Sequence, residues 1–115
     1  MIKDDTGYAL STPVGGAIAI IRITGSEAEA AINRIFLPAS AKAGKAASGL
    51  EVRKMTYGNV IDPSTSEIID SAMACLFRAP NTYTGEDMAE IYVRGGRITV
   101  ERTLLALSSM LKPAA

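Results

Sequence analysis

Apolar and polar residues alternate strictly from Met88 to Arg94, in the last third of the chain. Such alternation is typical of a β-strand with one buried face. It places apolar side chains on one face (Ala89, Ile91, Val93) and Met88 with a carboxylate, a phenol and a guanidinium on the other (Glu90, Tyr92, Arg94). This segment therefore combines a predicted core strand with a row of groups that could bind a ligand.

Two other kinds of pattern predict further strands. Residues 17–23 form a near-continuous β-branched run, which predicts a central strand covered on both faces, although Arg22 interrupts it. Residues 8–13 predict a shorter strand. Residues 52–61 and 68–77 predict a hairpin, because the turn-forming residues 62–66 lie between them.

Helical spacing appears in two places. Ser26 with Glu29 matches a capping box, and a buried stripe follows at Ala28, Ala31, Ile32 and Ile35, so a helix is expected there until Pro38. Residues 38–49 contain Ala, Ser, Gly and Lys and predict a connector, whose Lys42 and Lys45 could contact an anion. After Gly96, apolar residues recur at helical spacing and predict a helix to about Lys112 (Val100, Leu104, Leu107, Leu111).

The order of elements predicts the fold class. Strand, strand, helix, hairpin, strand and helix favour an α+β domain, with two main helices on one face of a mostly antiparallel sheet of about five strands. The length of 115 residues suits one domain that spans residues 1–115.

Composition narrows the possible chemistry. Twelve basic and twelve acidic residues cancel, so no overall field attracts a nucleic acid. The chain has no histidine, which excludes Ser-His-Asp and Cys-His sites and most zinc sites. Its single Cys75 fits a reducing compartment, it has no P-loop motif, and neither a signal peptide nor a membrane span is expected.

Arg22 and Glu90 are the two charges whose expected positions need an explanation. Arg22 in a buried strand requires an acidic partner or an anionic ligand, unless it reaches water at the strand end. Glu90, between Met88 and Tyr92, could accept two adjacent N–H groups of a planar heterocycle, could be solvated, or could pair with Arg22.

Two further groups offer weaker signals. Arg94, Gly95 and Gly96 precede a helix, whose free N–H groups favour an anion, although two glycines also serve a simple turn. Glu86 and Asp87 could act as an acid and a base, although such pairs more often cap a turn or face water.

Three blocks of sequence resemble a known family. They are Gly16-Ala-Ile-Ala-Ile-Ile-Arg-Ile-Thr-Gly25, Tyr57-Gly-Asn-Val-Ile-Asp-Pro63 and Arg78-Ala-Pro-Asn-Thr-Tyr-Thr-Gly-Glu-Asp-Met-Ala-Glu90. In this order they resemble the N-terminal domain of the bacterial tRNA-modification GTPases called MnmE or TrmE. The resemblance covers nearly the whole chain.

The resemblance implies a fold similar to the folate-binding domains of aminomethyltransferases. It also implies a homodimer that binds a tetrahydrofolate derivative, such as 5-formyl- or 5,10-methylene-tetrahydrofolate. The full protein would carry helical and GTPase domains that use GTP, Mg and K. With the flavoprotein MnmG (GidA), it would modify C5 of the wobble uridine of tRNA in the cytoplasm, away from membranes.

The resemblance also suggests specific residues. The family's folate contacts fall on Arg22 and Glu90, and the neighbouring Tyr92, Arg94 and Gly95 are further cofactor-binding candidates. The family usually has His where this chain has Arg94, which changes the size and charge of the expected pocket. No catalytic or metal-binding residue is expected in this chain, which resembles a domain cut from a longer protein.

Three functions follow as alternatives. The first is a folate-binding, dimer-forming module of the GTPase, which would be enzymatic only as part of the full protein. The second is a dimerisation scaffold that has lost the cofactor, and the third is a free-standing enzyme that transfers one-carbon units. The third has only Glu86 and Asp87 as candidate catalytic groups.

Overall fold

The computed structural model describes residues 6–12, 15–39 and 50–113, and within them the chain forms an α+β fold with one sheet and two helices. The strands are β1 (Gly7–Leu10), β2 (Ile18–Thr24), β3 (Phe36–Pro38), β4 (Thr56–Ile61), β5 (Ile68–Phe77), β6 (Met88–Arg94) and β7 (Lys112–Pro113). The helices are α1 (Ala28–Ile35) and α2 (Arg97–Ser108).

The sheet is antiparallel throughout its longer strands. Its order is β3-β4-β5-β6-β2-β1-β7, and only the short β7 runs parallel to its neighbour β1. The five strands of four residues or more agree with the predicted number. The predicted fold class is therefore confirmed.

Both helices contribute to one core on one face of the sheet. The apolar stripe of α1 and the buried residues of α2 join the inward residues of the central strands, which include Ile21, Ile91 and Leu76. The opposite face, which we call the open face, carries Ile18, Arg22, Glu90 and Tyr92. Ile18 is 54% exposed, so the prediction that the second strand is covered on both faces is wrong.

Three predicted boundaries also change. The strand expected from Val52 begins at Thr56, because Arg53 has a φ of 62°, a left-handed conformation that interrupts an extended strand. Val52 makes only an isolated bridge to Leu76. The first helix does not continue to Pro38; Phe36–Pro38 pairs with β4 instead, and the second helix ends at Ser108.

The predicted capping box does not form. Helix α1 begins at Ala28, with Glu27 at the N-cap position and no side-chain capping hydrogen bond. The backbone N–H of Glu27 donates to Thr6 Oγ1, and Glu29 pairs with Arg78 at 2.7 Å. The connector lysines Lys42 and Lys45 lie outside the described residues.

Candidate functional site

The antiparallel pairing of β2 with β6 brings the two predicted charged residues together. Arg22 lies directly opposite Glu90 in the register, and Cys75 of β5 lies opposite Glu90 on the other side. Side chains at directly opposite positions in antiparallel strands have close Cβ atoms and can interact. The site therefore rests on the three central strands of the sheet.

A hydrogen-bonded cluster of Arg22, Glu90 and Tyr92 forms the centre of the site. Arg22 donates from Nε and Nη2 to Glu90 Oε2, at 2.9 and 2.7 Å. The Tyr92 hydroxyl donates to Glu90 Oε1 at 2.5 Å. Of the alternatives open at the sequence level, pairing between Arg22 and Glu90 is the one that this structure adopts.

The Arg22–Glu90 pair matters for stability because both side chains are largely buried. The side chain of Glu90 is 11% exposed and that of Arg22 is 28% exposed. Removing one partner of such a pair leaves the other charge poorly solvated, which costs more than the intact pair contributes. A carboxylate has about four acceptor positions, and the three donors here leave about one of them.

The surroundings of Glu90 also affect the neighbouring acids. Burial and then the hydrogen bond to Glu90 raise the pKa of Tyr92 well above its ordinary value. Burial and the negative charge of Glu90 raise the pKa of Cys75. Both groups therefore stay neutral near pH 7, and Cys75 is a buried thiol rather than an activated nucleophile.

The loop of residues 79–87 covers part of the site. It places the ring of Tyr83 over the guanidinium of Arg22, with 4.9 Å between Arg22 Cζ and the ring centroid. Asp87 ties the loop down, because its Oδ1 accepts from the Ala79 N–H and its carbonyl accepts from the Gly25 N–H. The carboxylate of Asp87 thus has the turn-stabilising role that the sequence left open.

Arg53, in the segment before β4, makes a second contact with this loop. Arg53 donates from Nη2 to the carbonyl of Asn81, and its guanidinium lies 5.6 Å from the centroid of the Phe77 ring. Sequence reasoning missed both Arg53 and Tyr83 as residues of the site. Neither has a local signal, because their positions depend on how the loop folds over the sheet.

Arg94 and Gly95 lie at the end of β6, and the contacts described for them do not involve Arg22, Glu90 or Tyr92. Arg94 Nε lies 3.6 Å from Asp70 Oδ2, and its side chain is 72% exposed. The Gly95 N–H donates to the Ala17 carbonyl, so it is not available to an anion. A Cβ at this position would lie 1.8 Å from the Gly16 carbonyl oxygen, which explains the need for glycine.

Other features of the described residues do not compete with this site. A cavity of about 340 Å³ lies between α1, the β4–β5 turn and the segment after α2, and it has none of the predicted site residues in its lining. Within the described ranges no group of three or more potential ligand residues could hold a metal ion. No helix there is long and apolar enough to cross a membrane.

Comparison with known proteins places the chain in a family. The family model described as "GTP-binding protein TrmE N-terminus" matches residues 6–115. The chain is 42% identical over 107 residues to the tRNA modification GTPase MnmE of Lysinibacillus sphaericus, covering 91% of this chain and 23% of that protein. It is 41% identical over 108 residues to the MnmE of Syntrophus aciditrophicus, covering 93% of this chain and 22% of the relative.

These matches leave the greater part of each relative without a counterpart in this chain. The chain spans about a quarter or less of the length of the curated relatives that it matches. The family match itself extends over nearly every residue, including all of the described sheet and both helices. This chain therefore belongs to the family of TrmE N-terminal domains.

Proposed function

We propose that this chain is the tetrahydrofolate-binding and dimer-forming module of a tRNA-modification GTPase. Family membership supports this proposal, and so does the Arg22–Glu90–Tyr92 cluster on the open face of the sheet. The proposed longer protein acts with the flavoprotein MnmG on C5 of the wobble uridine in tRNA. In this scheme a bound 5-formyl- or 5,10-methylene-tetrahydrofolate supplies the one-carbon unit.

The single observation that carries the folate proposal is the position of the Glu90 carboxylate. It is buried, fixed at both oxygens, and bonded by a guanidinium through Nε and Nη2. The pterin ring of a folate carries a ring N–H beside an exocyclic amine, which is a guanidine-like edge. A carboxylate that accepts from one such group has the chemistry to accept from the other.

The residues fit this ligand if the cluster rearranges. Glu90 has about one acceptor position left, whereas the pterin edge needs two. Arg22 or Tyr92 must therefore release one hydrogen bond when the ligand binds. A released Arg22 guanidinium remains close enough to donate to a carbonyl or carboxylate of the same cofactor, which is the role we propose for it.

Dimerisation is proposed through the open face. This face exposes large apolar side chains around the cluster, Ile18 at 54% and Tyr57 at 58%. Exposed apolar side chains that share one surface favour contact with another protein surface. A second copy of the chain would cover them and would enclose the folate site from above.

The enzymatic activity is assigned to the rest of the longer protein. GTP, Mg and K would bind in its GTPase domain, and this module would carry no catalytic residue of its own. With zero formal net charge, this module alone is expected to bind tRNA weakly. The whole protein is proposed to act in the cytoplasm.

Calorimetric titration of the chain with 5-formyltetrahydrofolate, with its mass in solution recorded alongside, tests the proposal. We expect a dimer that binds one folate per chain. A dimer without binding would favour the second candidate function, a scaffold that has lost the cofactor. That candidate is favoured by the internal pairing of Glu90, whose two oxygens already have partners.

A monomer without binding would contradict both candidates. A longer chain that includes the segment after residue 115 then serves as a control for folate binding. If the longer protein binds and this chain does not, the downstream segment completes the site. If neither binds, the folate function is contradicted.

A further inference from the structure

The ring of Tyr83 is held in an unusual position for a large aromatic side chain. It is 83% exposed, yet it lies over the guanidinium of Arg22 rather than against the core. Burial therefore contributes little to holding it there. A contact between an exposed aromatic ring and a cation contributes only about 0.5–1 kcal/mol.

Three hydrogen bonds between side chains and the backbone nevertheless fix the loop that carries Tyr83. Asp87 closes the loop at its base by accepting from Ala79, and Thr82 Oγ1 donates to the Glu86 carbonyl at 2.7 Å. Arg53 holds the Asn81 carbonyl from the neighbouring segment. These contacts place the ring above the site without help from the core.

A ligand that binds Glu90 would lie next to the Arg22 guanidinium, which the Tyr83 ring covers. Arg22 donates through Nε and Nη2 to one oxygen of Glu90, so its guanidinium lies against the edge of the carboxylate that a ligand would also approach. A heterocycle that donates to Glu90 through a guanidine-like edge would lie beside Arg22. Its face would then continue the surface on which the Tyr83 ring rests.

We propose that Tyr83 is a specificity-determining residue that stacks on the heterocycle of the ligand bound by Glu90. The ring lies over the Arg22 guanidinium, and the heterocycle would lie beside that guanidinium. The ligand class is a planar heterocycle with adjacent ring N–H and amino groups. This inference rests on the proposed folate function, because it assigns a residue to the same site.

The test compares Tyr83→Ala, Tyr83→Phe and the unaltered chain in titrations with 5-formyltetrahydrofolate and with tetrahydropterin, which lacks the glutamate tail. Aromatic stacking on a flat heterocycle predicts a loss of about tenfold or more in affinity for Tyr83→Ala with both ligands. Tyr83→Phe keeps the ring and should bind within about threefold of the unaltered chain. Circular dichroism of all three chains checks that they fold alike.

The outcomes separate this inference from the proposed function. Unaltered chain that binds, with Tyr83→Ala binding equally well, overturns the role of Tyr83 and leaves the folate function standing. Equal losses in Tyr83→Ala and Tyr83→Phe also overturn stacking, because they assign the effect to the hydroxyl. An unaltered chain that binds neither ligand overturns both the folate function and this inference.

Discussion

At the scale of single residues, Glu90 decides what the open face can do. Its carboxylate is one of few buried charges in the described part of the chain, and Arg22 and Tyr92 both donate to it. This pairing fixes the orientation of the Glu90 carboxylate. The same pairing competes with any ligand, so each donor affects both the stability of the chain and its affinity for folate.

Replacing Tyr92 with Phe separates these two effects. The change removes the hydroxyl that donates to Glu90 Oε1 and frees an acceptor for the ligand. We expect the free energy of unfolding to fall by about 1 kcal/mol, because a buried acceptor loses its partner. Urea unfolding of both chains measures this loss.

The affinity for 5-formyltetrahydrofolate should not fall in Tyr92→Phe. One competing donor has gone, so we expect equal or tighter binding by calorimetry. A large loss of affinity would contradict the proposed exchange of donors, because it would mean that the Tyr92 hydroxyl contacts the ligand itself.

The raised pKa of Tyr92 also predicts how stability changes in base. The ordinary pKa is 10.0, and the folded chain holds the proton to higher pH. Above pH 10 the unfolded chain therefore releases this proton while the folded chain keeps it, and rising pH favours unfolding. We expect the stability of the unaltered chain to fall more steeply above pH 10 than that of Tyr92→Phe, as measured by urea unfolding at each pH.

At the scale of elements, the loop of residues 79–87 connects the site to residues 52–55, which the sequence predicted to be part of a strand. Arg53 interrupts that strand with its left-handed backbone and directs its guanidinium to the loop. The irregular conformation thus has a structural consequence, because it produces the contact that holds Asn81 and, through it, the position of Tyr83.

Arg53→Ala should loosen the loop without unfolding the domain. We expect faster amide hydrogen exchange in residues 79–87 and a folate affinity lowered several-fold, since the ring of Tyr83 is no longer held in place. Lys54→Ala is the matched control, because Lys54 is the adjacent basic residue and pairs only with Glu51 among its described ion pairs. Equal exchange rates in both variants would contradict the role of Arg53.

The sequence predicted those elements whose signals are local. The alternation in β6 and the turn before β5 were sufficient, because period and turn residues are read within a few positions. Strand β3 was missed, because Phe36–Pro38 is extended only through its pairing with β4. Arg22 and Glu90 were found from charge in a strand, whereas Tyr83 and Arg53 enter the site through tertiary contacts that no local pattern encodes.

At the scale of the whole molecule, the sheet separates two surfaces with different tasks. The helix-covered face holds the core, and the open face holds the charged cluster among exposed apolar residues. A domain with this division can lose contacts on its open face without losing its fold. Assembly and stability should therefore respond to different substitutions.

Tyr57→Glu tests the proposed dimer through the open face. A charge there would be buried between two copies, so we expect the dimer to dissociate at least about tenfold more readily. Leu105→Glu is the control, because Leu105 is 71% exposed on α2, on the other side of the sheet. Sedimentation gives the masses, and dissociation caused by Leu105→Glu alone would place the interface on the helices instead.

The most direct test of the account is the folate affinity of Glu90→Gln, measured by calorimetry beside the unaltered chain. The amide keeps the size of the side chain but replaces one acceptor oxygen with a donor, so it cannot accept from both N–H groups of the pterin edge. Glu101→Gln, at a side chain 63% exposed on α2, makes the same chemical change away from the site. We expect Glu90→Gln to lose about ten- to a hundredfold in affinity while Glu101→Gln keeps it, since a bond to a charged acceptor contributes about 1.5–3 kcal/mol. A folded Glu90→Gln chain that binds folate as tightly as the unaltered one would contradict the central claim, because the carboxylate would then not be the group that recognises the ligand.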